Sequence, residues 1–233
     1  MRVALISVGD ELLAGDTVNT NAAWLARQLT ERGVTVDRVT AVPDRHEDIA
    51  KIVNEYRAEY DAVLVTGGIG PTHDDVTMEA VAAAVGQPMA ASEAALEYIE
   101  TRRGYARGDL TDGTAEIPAE GEFIPNPVGV APGCHVENIY VLPGVPEEMR
   151  GMFAEIADQF SGTVQHIERV TADEPESALL DRIEELRERF DVTVGVYPGD
   201  NVRVKLSGSD RTSVENAASW LRKRVDMPDG QSR

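Results

Sequence analysis

Apolar runs of strand length alternate with amphipathic segments of helix length over the first hundred residues, and this alternation constrains the fold more than any other feature. Val3–Val8 is a continuous β-rich apolar run, the pattern of a strand covered on both faces. Asn21–Arg32 reads as a helix with Trp24, Leu25 and Leu29 inward, and Gly33 stands where a helix end needs a left-handed residue. Val34–Val42 is a second strand. Asp44 and Glu47 have the spacing of a capping box that opens a helix to about Tyr60. Ala62–Thr66 is a third buried strand. One helix runs from Thr77 to Val85 and stops at Gly86, and another opens at Ser92 and ends near Arg103. This β-α-β-α-β-α order predicts a parallel, doubly wound sheet with right-handed crossovers.

Residues 104–133 are Gly/Pro-rich and irregular, too long for a plain connection, so they are read as a functional loop with short strands or as a partner-contacting arm. Ile139–Leu142 is a strand and Pro146–Phe160 a helix. The texture changes at Thr163. Thr163–Val170 is strand-like, Pro175–Phe190 is a charged amphipathic helix, and Val192–Tyr197 and Val202–Leu206 are two strands. Thr212 with Glu215 opens a last helix to about Val225. The organisation expected is a domain over residues 1–160 and a small β-α-β-β-α domain over 163–226, followed by a polar tail.

Charge narrows the function classes. Against 41 Asp and Glu stand 22 Lys and Arg, a net charge of −19, and only Lys51, Lys205 and Lys223 are lysines. Nucleic acid and anionic membrane are poor partners for such a surface, because affinity for phosphate backbones comes from cations. An acidic, lysine-poor surface suits a salt-saturated cytosol, where screening relieves self-repulsion, so a halophilic origin is expected. One cysteine, Cys134, allows no internal disulfide. No apolar run reaches membrane-spanning length, and the N-terminus has no signal-peptide pattern. The expected location is cytoplasmic.

The segment with most chemistry is Thr66-Gly67-Gly68-Ile69-Gly70-Pro71-Thr72-His73-Asp74-Asp75-Val76-Thr77. It follows a buried strand and precedes a helix, the edge at which open parallel sheets bind ligands. Its glycines permit close backbone approach to an anion, and the helix N-terminus adds positive potential. Asp74 and Asp75 would repel a phosphate unless a divalent cation bridged them, so the combination points to a hard metal held by one or two carboxylates and ligand oxygens. The structural alternative is a Gly-rich turn with Asp75 as a helix cap.

Gly9-Asp10-Glu11, Gly15 and Asn19-Thr20-Asn21 follow the first strand and reach the same sheet edge. There Asp10 or Glu11 could complete a metal site, and Asn19, Thr20 and Asn21 could bind phosphate or ribose without charge; helix capping by Asn19 or Thr20 explains them equally. Pro143–Glu148 is a third loop on that edge, otherwise a well-formed helix start. The four histidines show no metal-ligand spacing, and the loop residue His73 reads either as a phosphate contact or as an exposed loop residue. Cys134 has no nucleophile setting, and no Gly-Lys-Ser/Thr follows the glycines, so this is not a P-loop.

With these residues in view, the chain resembles the CinA family and, more widely, molybdopterin-binding domains of the MoaB/Mog type. The likeness is carried by Ile6–Leu13, Val18–Asn21, Thr66–Thr77 with Glu79, Pro125–Gly129, Ala131–Gly133 and Leu142–Glu147, spanning about residues 3–160. Glu174–Leu179 and Val194–Pro198 are similar to the small middle domain of CinA proteins. The resemblance implies a three-layer α/β/α fold with a mostly parallel sheet, a small α+β second domain, and a homo-oligomer. For function it implies one of two things: a nucleotide pyrophosphatase acting on ADP-ribose-like compounds with Mg²⁺, Mn²⁺ or Co²⁺, or a molybdopterin- or pterin-binding protein. A regulatory protein that keeps the fold without the chemistry is a third reading. Carried over, Asp74 and Asp75 become catalytic and metal-site candidates with Glu11. Gly67, Gly68, Gly70, Thr72 and Thr77 become phosphate contacts, with Asn19 and Thr20 opposite. Two departures stand out. Gly113-Thr114-Ala115-Glu116-Ile117-Pro118 replaces the family's basic or amide-rich stretch, and the carboxy-terminal domain tied to nicotinamide mononucleotide deamidation has no counterpart, so no deamidase activity is expected.

Overall fold

The computed structural model describes residues 1–70, 72, 75–106, 108, 110 and 113–228. The chain divides into two compact units, Met1–Gly162 and Thr163–Arg233.

The first unit is built on strands β1 (Arg2–Val8), β2 (Thr35–Val42) and β3 (Ala62–Thr66), interleaved with helices α1 (Asp10–Ala14), α2 (Thr20–Glu31) and α3 (His46–Glu59). Helix α4 (Thr77–Val85), strand β4 (Met89–Ala91) and helix α5 (Glu93–Tyr98), prolonged by a π turn over Ile99–Arg103, come next. Then follow β5 (Glu116–Pro118), β6 (Glu122–Ile124), β7 (Gly133–Val136), β8 (Ile139–Leu142) and α6 (Pro146–Ile156). The main sheet has the order β2-β1-β3-β8-β7-β6, with β2, β1, β3 and β8 parallel. The last two strands pair antiparallel, because β7 is reversed against both β8 and β6, and the sheet is mostly parallel, as expected.

Period-two alternation sorts the strand side chains between two cores. Ala4, Ile6, Val8, Val63 and Val65 face Ile49, Val53 and Tyr56 of α3 and Met78 and Val81 of α4. Val3, Leu5, Ala62, Leu64 and Leu142 face Leu25 and Leu29 of α2 and Met149, Met152 and Phe153 of α6. Each fully buried Leu or Phe contributes about 1.5–3 kcal/mol from apolar transfer, so both layers hold the sheet rigidly. The chain crosses the C-terminal ends of β1, β3 and β8 in loops, and those loops carry the candidate site.

One local expectation in this unit is corrected. Helix α3 starts at His46 with Arg45 as a cap lacking a side-chain bond. Asp44 instead accepts from the Asp10 amide at 2.8 Å, bridging two loops rather than closing a capping box. Glu11 sits in the short helix α1 that follows β1. Residues 104–133 hold β5, β6 and the start of β7, and β5 pairs with β4 as a separate two-stranded sheet.

The second unit is an antiparallel sheet of order β10-β11-β9, with β9 at His166–Ala172, β10 at Thr193–Tyr197 and β11 at Val202–Gly208. Helices α7 (Glu176–Arg189) and α8 (Arg211–Arg222) supply Leu179, Ile183, Leu186, Val214, Ala217 and Leu221 to its core. The cap of α8 is Asp210, which accepts from the Thr212 and Ser213 amides. The Thr212–Glu215 pairing is not what starts that helix.

Candidate functional site

Two clefts open where the loops leave the main sheet. The larger, about 360 Å³, is lined by Ile69, Gly70, Thr72 and Asp75 from the loop after β3, and by Met78 and Glu79 from α4. Met89, Tyr105, Leu110, Gly113, Thr114, Glu116, Val130, Ala131 and Pro132 complete the lining. The smaller, about 110 Å³, is lined by residues at the ends of β1 and β3 (Ser7, Val8, Thr66), by Glu11, Leu12 and Thr17–Asn21, and by Gly144 and Pro146.

The expected single site is thus divided. Glu11, Asn19 and Thr20 line the smaller cleft, while Gly70, Thr72 and Asp75 line the larger. Glu11 and Asp75 line different clefts. Asp74 and His73 lie outside the described residues. Among the described residues, no group of three His, Cys, Asp or Glu side chains is placed to hold a metal ion by itself.

Gly67 and Gly68 line neither cleft; they form the ridge between Thr66 in one and Ile69 in the other. Gly67 has φ +100°, and a Cβ there would stand 2.3 Å from the Val8 carbonyl oxygen. Its amide donates to the Leu142 carbonyl at 3.1 Å, so this N–H serves the sheet rather than a phosphate. Gly68, at φ +63°, covers the Thr77 hydroxyl, which a Cβ would approach to 2.4 Å. Thr77 is fully buried, its amide donates to the Gly68 carbonyl, and its hydroxyl has no protein partner. The structure therefore uses Thr77 to close the loop onto α4.

Asp75 is not the cap of α4, a position taken by Val76. Its Oδ2 accepts from the Thr72 amide at 3.0 Å and from the Thr72 hydroxyl, while its own amide donates to the Thr72 carbonyl. This closed turn fixes the carboxylate at the cleft wall and leaves Oδ1 for a ligand or cation. Glu79 and Glu116 place two further carboxylates on the lining, and none of the described lining residues is Lys, Arg or His. The departure at residues 113–116 therefore acts on the cleft itself: Glu116 stands where a cation could have met an anion.

The smaller cleft carries one carboxylate, Glu11, beside the hydroxyls and amides of Ser7, Thr66 and Asn19–Asn21. Asn19 caps α2 by accepting from the Ala22 amide at 3.1 Å, and its Nδ2 donates to the buried Ser7 hydroxyl at 3.0 Å. Asn21 donates to the Gly144 carbonyl at 2.6 Å, while its Oδ1 is buried without a protein partner. The Asn19 and Asn21 side-chain amides and the Thr20 and Ala22 N–H groups are already engaged, so what this cleft offers an anion is the dipole of a twelve-residue helix.

Several lining residues are invisible to motif reasoning. Met89 and Tyr105 come from segments with no chemical signature, and only the fold brings them to the loop after β3. Cys134 is buried on β7, where desolvation pushes its thiol up to about 12, in keeping with the absence of a nucleophile setting. No helix among the described residues is long and apolar enough to cross a membrane.

A family model described as a probable molybdopterin binding domain matches residues 4–162. A protein of Archaeoglobus fulgidus is 38% identical over 219 residues, covering 93% of this chain and 95% of that protein. A CinA-like protein of Citrifermentans bemidjiense is 35% identical over 241 residues, which is 97% of this chain but 58% of its own length. Among solved structures, CinA of unknown function from Thermoplasma acidophilum aligns with a TM-score of 0.63 at 38% identity, covering 68% of this chain and 97% of that one. The chain belongs to the molybdopterin-binding-domain family and stands with its CinA-like members.

Proposed function

We propose that this protein binds a phosphorylated, two-part ligand of nucleotide or pterin type across the two clefts and, with a divalent cation, hydrolyses a pyrophosphate linkage in it. The observation that carries this reading is the ridge. Only Gly67 and Gly68 separate Thr66 from Ile69 along the chain, a span of at most about 11 Å, so one ligand of dinucleotide size can reach both clefts. The smaller cleft suits a phosphate end and the larger, with Met78, Met89 and Tyr105, suits a flat ring.

A cation fits the donor set only in company with the ligand. Asp75 offers one free carboxylate oxygen and Glu79 and Glu116 are on the same lining, a set that Mg²⁺, Mn²⁺ or Co²⁺ would complete with phosphate oxygens. When bound, the cation would polarise the phosphoryl oxygens and lower the pKa of an attacking water. Asp75 would orient it, and the closed Thr72–Asp75 turn would keep that orientation before ligand arrives.

The test is AMP release from ADP-ribose with each of the three metals. The expected result is metal-dependent release that falls at least about a hundredfold in Asp75→Ala, the scale of losing a positioned charge in a site. Unchanged turnover in that variant removes Asp75 from the site. Absence of release with every metal, from a folded protein, favours the second reading: a pterin-binding protein without hydrolysis. That reading draws on the family description and on the cation-free lining of the larger cleft with its Met78, Met89 and Tyr105 side chains.

A further inference from the structure

Besides the loop after β3 and α4, two stretches contribute to the lining of the larger cleft: the first gives Tyr105, Gly113 and Glu116, the second Val130–Pro132. The second segment is pinned to α6. Asn126, 1% exposed, donates to the Ala131 carbonyl at 2.9 Å and to a Glu148 carboxylate oxygen at 2.7 Å. Its own oxygen accepts from the Val128 amide at 3.2 Å and the Gly129 amide at 2.7 Å. Gly129 lies so close to Glu148 that a Cβ would meet its carboxylate at 1.9 Å, and a Cβ on Gly151 would stand 3.1 Å from the Pro127 ring. Both polar atoms of the Asn126 side chain are engaged, so residues 126–131 move with α6.

The Tyr105 segment is tied to that anchored segment through Arg103, the last residue of the π turn. Its guanidinium donates to the Pro127 carbonyl at 3.0 Å and to the Val128 carbonyl. Gly104 then reverses the chain in the left-handed region, at φ +75°, so that Tyr105 enters the lining two residues after the clamp. A planar guanidinium holds two adjacent carbonyls in fixed geometry, which a point-like ammonium cannot reproduce. The Nε of Arg103 is buried without a protein partner, a cost that only a favourable placement of the other donors offsets.

We infer that Arg103 is a positioning residue that couples the two wall segments and thereby sets the width of the larger cleft, selecting ligands by the size of the ring that seats between Tyr105 and Pro132. The assignment of a ligand to this cleft rests on the function proposed above; the clamp itself does not. Losing both hydrogen bonds frees the Tyr105 segment from α6 and weakens ground-state seating of the ring. Asp75 is held by Thr72 and makes no bond to Arg103, so its closed turn is untouched and the chemical step is preserved.

The experiment compares the full chain with its Arg103→Gln and Arg103→Lys variants by amide hydrogen exchange without ligand and by steady-state ADP-ribose turnover with Mn²⁺. The expected result for Arg103→Gln is exchange at least about tenfold faster, confined to residues 113–116 and 128–131, with KM raised about tenfold and kcat within twofold, the scale of losing one charged hydrogen bond. Arg103→Lys recovers part of both effects. Unchanged exchange in Arg103→Gln overturns the clamp, and a fall in kcat at constant KM overturns the positioning role. A wild-type protein that does not turn over ADP-ribose overturns the pyrophosphatase reading alone. Exchange then decides the clamp by itself: local acceleration keeps it, and uniform or absent acceleration sinks it.

Discussion

Cys134 is fully buried on β7, between β8 and the edge strand β6, and burial raises its thiol from an ordinary value of 9.0 to about 12, with Glu122 adding in the same direction. The folded state therefore binds a proton that the unfolded chain releases above pH 9. The contribution is fully present below pH 9 and is lost as the pH rises through about 12, so stability falls over that window. Replacement by Ala should flatten the alkaline limb of a stability–pH curve relative to the wild type. A thiol reagent at pH 8 should leave the native protein unlabelled while labelling the denatured one within minutes. Rapid native labelling would refute the burial argument. Single-residue chemistry of this kind was legible in part: the lack of a nucleophile setting could be read from the sequence. Gly67 could not be read the same way. Three glycines after a strand point to an anion loop, yet the Gly67 amide is committed to Leu142 and its missing side chain serves the Val8 carbonyl, a partner sixty residues away.

At the scale of elements, the parallel strands and their helices were legible because each carries its own period and its own apolar face. Strands β5 and β6 were not, since three-residue strands hold too few positions to show alternation. Two capping boxes were misread for a related reason. The spacing was correct, but Asp44 has a tertiary partner in Asp10 and Asp210 is a better-placed cap than Thr212. Long-range polar ties escape pattern reading altogether, and one holds the second unit. Arg182 on α7 donates to Glu174 at 2.8 Å and to the Arg224 carbonyl, and Glu174 also accepts from the Asp226 amide at 3.0 Å. This cluster joins the start of α7 to the chain leaving α8. The Arg182 hydrogen bond, the largest influence, holds the Glu174 carboxyl below its ordinary value of 4.5. Its stabilisation is present above that value and lost as the pH falls through the lowered one. Glu174→Gln should cost the protein about 1–3 kcal/mol at pH 7, and the difference from wild type should shrink toward pH 2. Denaturant titrations at the two pH values check both halves, and a difference independent of pH would show that Glu174 does not act through its charge.

The charge of the whole molecule is unevenly spread, and that decides how it should respond to salt. Residues 1–162 carry 27 acidic and 11 basic side chains, a net of −16, while residues 163–233 carry 14 and 11, a net of −3. Self-repulsion is therefore concentrated in the unit that holds both clefts, where Asp75, Glu79 and Glu116 share one lining. Raising ionic strength from 0.1 M to above 1 M shortens the screening length from about 10 Å to about 3 Å, which removes repulsion between surface carboxylates while leaving buried pairs largely intact. The first unit should gain on the order of 10 °C in melting temperature between 0.1 and 2 M KCl, and the second unit only a few degrees. Unit-resolved hydrogen exchange or two-transition calorimetry separates the two responses. Equal gains would mean that salt acts through apolar burial in both units rather than through the acidic surface of one. A first unit that gained nothing would remove the case for adaptation to a salt-rich cytosol, because the acidic excess would then carry no cost for salt to relieve. Divalent cations provide the complementary reading. If a cation joins the cleft carboxylates as proposed, millimolar Mn²⁺ should stabilise the first unit at low salt by more than the same ionic strength of KCl does, and Asp75→Ala should reduce that excess while leaving the KCl response in place.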